Sequence, residues 1–197
     1  MEKLKIYFKT YFEKSSKLKI GSDILFYLLI LLLLIPTSRT MLIRATLFRP
    51  KIITESSGVT MKTEDYQLAL EDLDGNSVNL SEYSNQTILI SFWATWCAPC
   101  RAEMPSIQKM ADRYGEKLPI FLITSEEKEK VSKFLQESGY HIPVYFQKSR
   151  STGILDINSY PTTFLISSKG EIIIHKKGAA NWNSKDLRRK LDELLGL

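Results

Sequence analysis

Thr87 to Pro105 reads TILISFWATWCAPCRAEMP. Its first half is an apolar, β-branched run, Ile88, Leu89, Ile90 and Phe92, of the kind that forms a strand buried on both faces. Beyond it, Met104, Ile107, Ala111 and Tyr114 recur at helical spacing. Cys97 and Cys100, the two cysteines of the chain, therefore fall where a strand hands over to a helix N-terminus. Unpaired backbone N–H groups and the helix dipole favour an anion there, a thiolate included. Two intervening residues let one turn bring both sulfurs together, so the pair can cycle between dithiol and disulfide.

Other uses of two cysteines fit less well. A structural bridge closing so short a loop restrains little of the unfolded chain. A zinc site needs two further ligands, and His141 and His175 lie far apart and outside finger spacing. Arg101 follows Cys100 where haem attachment requires histidine. No metal site is expected, and no cofactor beyond the redox-active Cys97–Cys100 pair itself.

Working outward, 197 residues suit one domain and an appendage. Residues 1–60 hold ten Lys/Arg against four Asp/Glu, and residues 61–197 hold seventeen against eighteen. The basic excess belongs to the N-terminal segment, so no nucleic-acid partner is expected for the domain. Residues 1–21 place Leu4, Phe8, Tyr11 and Phe12 near helical spacing among six lysines, a pattern suited to an anionic membrane surface. Ile24 to Ile35 is uninterrupted apolar sequence that resumes at Met41-Leu42-Ile43, so residues 22–43 are expected to form a transmembrane anchor. No small-x-small cleavage site follows Ile35. The excess of lysines before the span points to a cytoplasmic N-terminus. Residues 44–62, with a proline and a Ser-Ser-Gly break, read as a linker.

The domain is expected over 63–197. Tyr66–Leu70 alternates like a half-buried strand, Asp74-Gly75 is a hairpin signal, and Val78 and Leu80 begin the return. Pro119–Thr124 reads as a second buried strand. Thr124 and Glu127 suggest a capping box for a helix carrying Val131, Phe134 and Leu135 and ending near Gly139. A short strand over Pro143–Phe146, a short helix over Ser151–Ile157 and a hairpin around Lys169-Gly170 follow. The last helix, from about Ser184, aligns Leu187, Leu191, Leu194 and Leu195 on one face. Strand–helix–strand followed by hairpin–helix is an α/β arrangement.

WATWCAPCRAEMP resembles the active site of the thioredoxin superfamily and, within it, the TlpA/ResA-like membrane-anchored thiol–disulfide oxidoreductases of bacteria. The resemblance runs from about Met61 to the C-terminus and includes Tyr160-Pro161-Thr162-Thr163-Phe164 and Gly178-Ala179-Ala180-Asn181-Trp182. It implies a thioredoxin fold, a central mixed sheet flanked by helices, with an N-terminal β extension and one preceding transmembrane helix. It also implies disulfide reduction in exported proteins, with apocytochrome c cysteines as substrate class, and a membrane thiol–disulfide electron donor as partner. The redox domain would then face the periplasm or cell exterior, anchored in the cytoplasmic membrane by a single pass.

Cys97, first in the chain and at the positive end of the dipole, is the expected nucleophile, and Cys100 the resolving thiol. Pro99 lacks a donor at an early helical position that tolerates this. Glu103 lies three residues beyond Cys100 on the same helix face and is the candidate proton relay. Thioredoxins carry a buried aspartate on the preceding strand for that role, where this chain has Ser91. Pro105 inside the helix predicts a kink. The resemblance makes Pro161 a cis-proline facing the disulfide, with Tyr160 and Trp96 on the substrate surface. Trp93 is expected in the core, Trp182 matches a family position with no derivable role, and neither histidine is expected to be a ligand. Two other functions use the same fold. A thiol peroxidase would want Thr and an upstream Pro where Ala94 and Ile90 stand. A copper-delivery module would need a nearby histidine and a wider cysteine spacing.

Overall fold

The computed structural model describes residues 17–34 and 58–197. The chain divides into two units, residues 1–42 and 43–197, each taken by itself. In the first, helix α1 spans Lys17–Leu34. Lys17, Lys19 and Asp23 fall in its first half, and from Ile24 to Leu31 its apolar side chains are 40–68% exposed. Among the described residues no helix is long and apolar enough to cross a membrane. The expected span beyond residue 34, the basic segment before residue 17 and the linker before residue 58 lie outside the described residues.

The second unit is built on a seven-stranded sheet in the order β2-β1-β5-β4-β3-β6-β7. Its strands are β1 (Ala69–Glu71), β2 (Ser77–Asn79), β3 (Ile88–Phe92), β4 (Ile120–Thr124), β5 (Val144–Gln147), β6 (Thr162–Ile166) and β7 (Ile172–Lys177). β3, β4 and β5 are parallel, and the remaining pairings are antiparallel. Parallel neighbours need crossovers: α2 (Ala98–Tyr114) joins β3 to β4, and α3 (Lys128–Ser138) joins β4 to β5. Helix α4 (Lys185–Leu195) follows β7. Val59–Met61 run beside β7, with a bridge between Thr60 and Glu171.

Side chains alternate across each strand, and the two faces bury different sets. Ile88, Ile90, Phe92, Phe121, Ile123, Phe164 and Ile166 enter one core layer. Leu89, Ile120, Leu122 and Leu165 enter the other, beneath Met104, Ile107 and Met110 of α2, Val131 and Leu135 of α3, and Leu187 and Leu191 of α4. All three α-helices of the domain thus cover one face. Both crossovers step the same way along the sheet, and right-handed connection puts their helices on the same side. The expected flanking by helices is found, with the α-helices on this face; the opposite face is closed by 3₁₀ turns and by Met61, Tyr66, Leu68, Leu80 and Leu155.

Local departures from expectation have local causes. Thr63–Tyr66 is a 3₁₀ turn rather than the start of a strand, because Asp65 turns inward and accepts from the backbone N–H of Lys62 (2.8 Å) and Ile154 (3.1 Å). The helix expected over Ser151–Ile157 shrinks to a 3₁₀ turn, Gly153–Leu155. Gly153 has φ +59°, and a Cβ there would fall 2.0 Å from Asp65 Oδ1, so the close approach requires glycine. The capping box of Thr124 and Glu127 does not form: Glu127 caps α3 without a side-chain bond, and Thr124 Oγ1 accepts instead from the Glu126 N–H at 3.3 Å. Gly139 ends α3 in the left-handed conformation, and the Ser184 hydroxyl caps α4 by accepting from the Leu187 N–H.

Candidate active site

The site forms where the C-terminal ends of β3 and β4 meet the start of α2. Cys97 is the N-cap of α2, and its sulfur accepts from the Cys100 N–H at 3.2 Å. The two cysteines are joined as a disulfide with Cα atoms 5.3 Å apart. Cys97 is 5% exposed and Cys100 0%, so both cysteines are buried in the disulfide form. A disulfide bracketing the first helical turn places the Cys97 sulfur against the orphan N–H groups, which favours its thiolate on reduction. Pro99 occupies the first turn, where its missing donor is harmless. The helix runs on unbroken to Tyr114 with Pro105 inside it.

Three further segments meet this turn. Phe92 pairs with Thr162 in the β3–β6 register, which sets the Tyr160–Pro161 segment beside the loop leading to Cys97. The Tyr160–Pro161 bond is cis. Trp96 is 67% exposed, and its ring lies 6.0 Å from that of Tyr160, so the residue before Cys97 meets the residue before the cis-proline. Trp93 is in the core, tilted against Phe134 at 5.6 Å. Ser91 faces the helix-covered side but carries no charge there, and its hydroxyl is 2.7 Å from that of Thr163 on β6.

Glu103, one turn beyond Cys100 on α2, is buried, at 1% exposure. The Trp182 indole N–H donates to its Oε2 at 2.9 Å and the Ala180 backbone N–H at 3.1 Å. Burial pushes its pKa up to about 8, opposed by those two hydrogen bonds and by the charge of Lys176. A carboxyl titrating near the thiol range can exchange protons with a cysteine close to neutral pH. The Ser106 hydroxyl donates to the Glu103 carbonyl (2.7 Å) and accepts from the Trp182 backbone N–H (3.0 Å). The Gly178 N–H donates to the Pro161 carbonyl at 2.8 Å. Residues 178–182 thereby tie the cis-proline segment to α2.

The loop before Cys97 is held from the loop that follows β4. Glu126 accepts from the backbone N–H of Thr95, from its hydroxyl at 2.9 Å, and from Lys130. Burial raises the Glu126 pKa, but these bonds outweigh it and the net shift is downward. Sequence reading found neither this clamp nor the partner of Trp182. One general signal was present, since loops after adjacent parallel strands lie side by side and gather functional groups. His175 is stacked on Phe164 at 4.5 Å, and the His141 backbone bonds Gln108.

Comparison with known proteins agrees with this geometry. The family model described as Redoxin matches residues 55–193. The thioredoxin-like protein YneN of Bacillus subtilis is 32% identical over 128 residues, covering 63% of this chain and 74% of that protein. The thiol-disulfide oxidoreductase ResA of Halalkalibacterium halodurans is 35% identical over 115 residues, covering 55% of this chain and 64% of that one. The crystal structure of a thiol:disulfide interchange protein of the thioredoxin family from Chlorobium tepidum shares the fold, with TM-score 0.55 and 20% identity over 70% of this chain and all of that one. With the Cys97–Cys100 disulfide at the start of α2 and a family model matched over most of its length, the chain is a thiol–disulfide oxidoreductase and belongs to the Redoxin family.

Proposed function

We propose that this protein is a membrane-anchored reductase of disulfides in exported proteins, with apocytochrome c cysteines, the class implied by the TlpA/ResA resemblance, as its substrates. The observation that carries the reading is the Cys97–Cys100 pair at the start of α2 with Glu103 buried beneath it. In the reduced protein the Cys97 thiolate attacks one sulfur of the target disulfide, forming a mixed disulfide and releasing the first target thiolate. Cys100 gives its proton to Glu103, and its thiolate attacks the Cys97 sulfur. That step releases the second target thiolate and leaves the Cys97–Cys100 disulfide. Two electrons pass to the target, and a membrane thiol–disulfide donor restores the dithiol.

Trp96, Tyr160, Pro161 and Pro99 form the surface against which an extended target lies. The all-round apolar surface of α1 from Ile24 to Leu31 supports an anchor, with the catalytic domain on the outer side of the cytoplasmic membrane. The test is to offer the reduced protein a CxxCH peptide in disulfide form, and separately to fractionate cells. The expected results are stoichiometric peptide reduction with oxidation of Cys97 and Cys100, and a membrane-bound chain accessible to external protease. A peptide left oxidised, or a chain recovered in the soluble fraction, overturns the corresponding half of the proposal.

A further inference from the structure

Trp182 is fully buried, yet its polar edge is not turned toward solvent or backbone. Its indole N–H is spent on one oxygen of Glu103, at 2.9 Å. The Ala180 N–H occupies the same oxygen, at 3.1 Å, while Oε1 accepts no hydrogen bond among the described residues. We infer that Trp182 is a positioning residue for thiol–disulfide exchange, whose indole N–H, beside that of Ala180, holds Glu103 Oε2 and leaves Oε1 to take and return the Cys100 proton. The inference rests on the relay reading of Glu103 given above.

The physical argument separates the ring from its N–H. A phenyl ring would fill most of the same space in the core layer that Trp182 shares with Leu187, Leu191 and Met104. Only the N–H stabilises the charged form of the carboxyl, because a donor aimed at an ionised oxygen favours ionisation. Two donors on one oxygen also stop the side chain from rotating, so the acceptor that remains is always the same atom. The charged and titratable groups on the elements around it are these. Lys176 of β7 supplies a positive field that favours the carboxylate. Cys97 and Cys100 of α2 titrate once reduced. Arg188 of α4 is engaged by the carbonyl and side-chain oxygens of Asn183.

Two measurements on the full-length chain in detergent micelles test this. In the oxidised, nitrogen-15-labelled protein, the Trp182 indole signal, assigned by its loss in Trp182→Phe, should shift with pH along one titration curve. Glu103→Gln should abolish that shift. In the reduced protein, the pH–rate profile for attack on an aromatic disulfide reagent should move upward by about one pH unit in Trp182→Phe, since a donor to the carboxylate has been removed. The same substitution should move nothing in a Glu103→Gln background, whereas a merely structural effect would persist there.

A Trp182 signal that does not titrate, or a profile shift of equal size in both backgrounds, overturns the inference. If Glu103→Gln moves the profile and Trp182→Phe does not, the positioning role alone fails. If the indole titrates while Glu103→Gln leaves the profile unmoved, the relay reading fails and the inference falls with it. Should Trp182→Phe not fold, the indole signals of wild type and Glu103→Gln decide the matter, the titrating one being that whose shift the variant abolishes.

Discussion

Replacing Glu103 by glutamine in the disulfide form should change how stability depends on pH, with no thiol titration to confuse the result. The folded carboxyl has a pKa of about 8, against an ordinary value of 4.5. The folded state therefore holds this proton more tightly than the unfolded state does. A raised carboxyl pKa contributes stability that is full below about pH 4.5 and is lost as pH rises through about 8. At about 1.4 kcal/mol per pH unit, the loss across that window is about 5 kcal/mol, as much as the whole stability of a marginal domain. Burial is the main cause, and the Trp182 and Ala180 donors with Lys176 offset part of it. The assay is urea unfolding of the oxidised wild type and Glu103→Gln at intervals from pH 4 to pH 9. The wild type should lose several kcal/mol more than the variant between the two ends, with most of the divergence above pH 5. Parallel curves would refute the claim that a buried, protonatable carboxyl sits beneath the disulfide.

Glu126 should behave with the opposite sign. Its net pKa is lowered, so its contribution is present above the ordinary carboxylate range and lost as pH falls through the folded value. Glu126→Gln should flatten the acid limb of stability by on the order of 1 kcal/mol, allowing for partial exposure; an unchanged acid limb would remove the clamp on Thr95. The Ala-Pro dipeptide between the cysteines resembles reducing sites, so equilibration with glutathione should give a potential below about −200 mV, and a value near −120 mV would contradict the reductase reading. Gly153→Ala should destabilise by about 1–3 kcal/mol, since it adds a Cβ against Asp65 at a left-handed position. Much of that loss should be recovered in an Asp65→Ala background, and additive losses would dissociate the two residues.

What could be read in advance follows the range of the interactions concerned. β3, β4, α2 and α4 were legible because each is specified by its own periodicity and by near neighbours such as the Ser184 cap. The cysteine pair was legible because a three-residue spacing on a helix start is a local fact. The covering of one sheet face without α-helices was not, since it depends on Met61, Tyr66, Leu80 and Leu155 converging from separate segments. The burial of Glu103 depends on a tryptophan 79 residues away, and the hold on Thr95 depends on a carboxylate 31 residues away. Sequence spacing carries no signal for such pairs. Asp65 shows the same limit from the other side: alternation predicted a strand from Tyr66, but an acid preceding it found two backbone donors and turned the chain into a 3₁₀ turn instead.

The central claim is that Cys97 attacks and Cys100 resolves, and trapping in cells tests it most directly. Cys100→Ser removes the thiolate that releases the target from Cys97. The full-length variant should therefore accumulate covalent adducts with exported thiol proteins. These adducts should disappear on reduction and be absent when Cys97 is also replaced, and the trapped chains would identify the substrates. Adducts on Cys97→Ser and none on Cys100→Ser would reverse the two roles, and none on either variant would contradict the exchange mechanism itself.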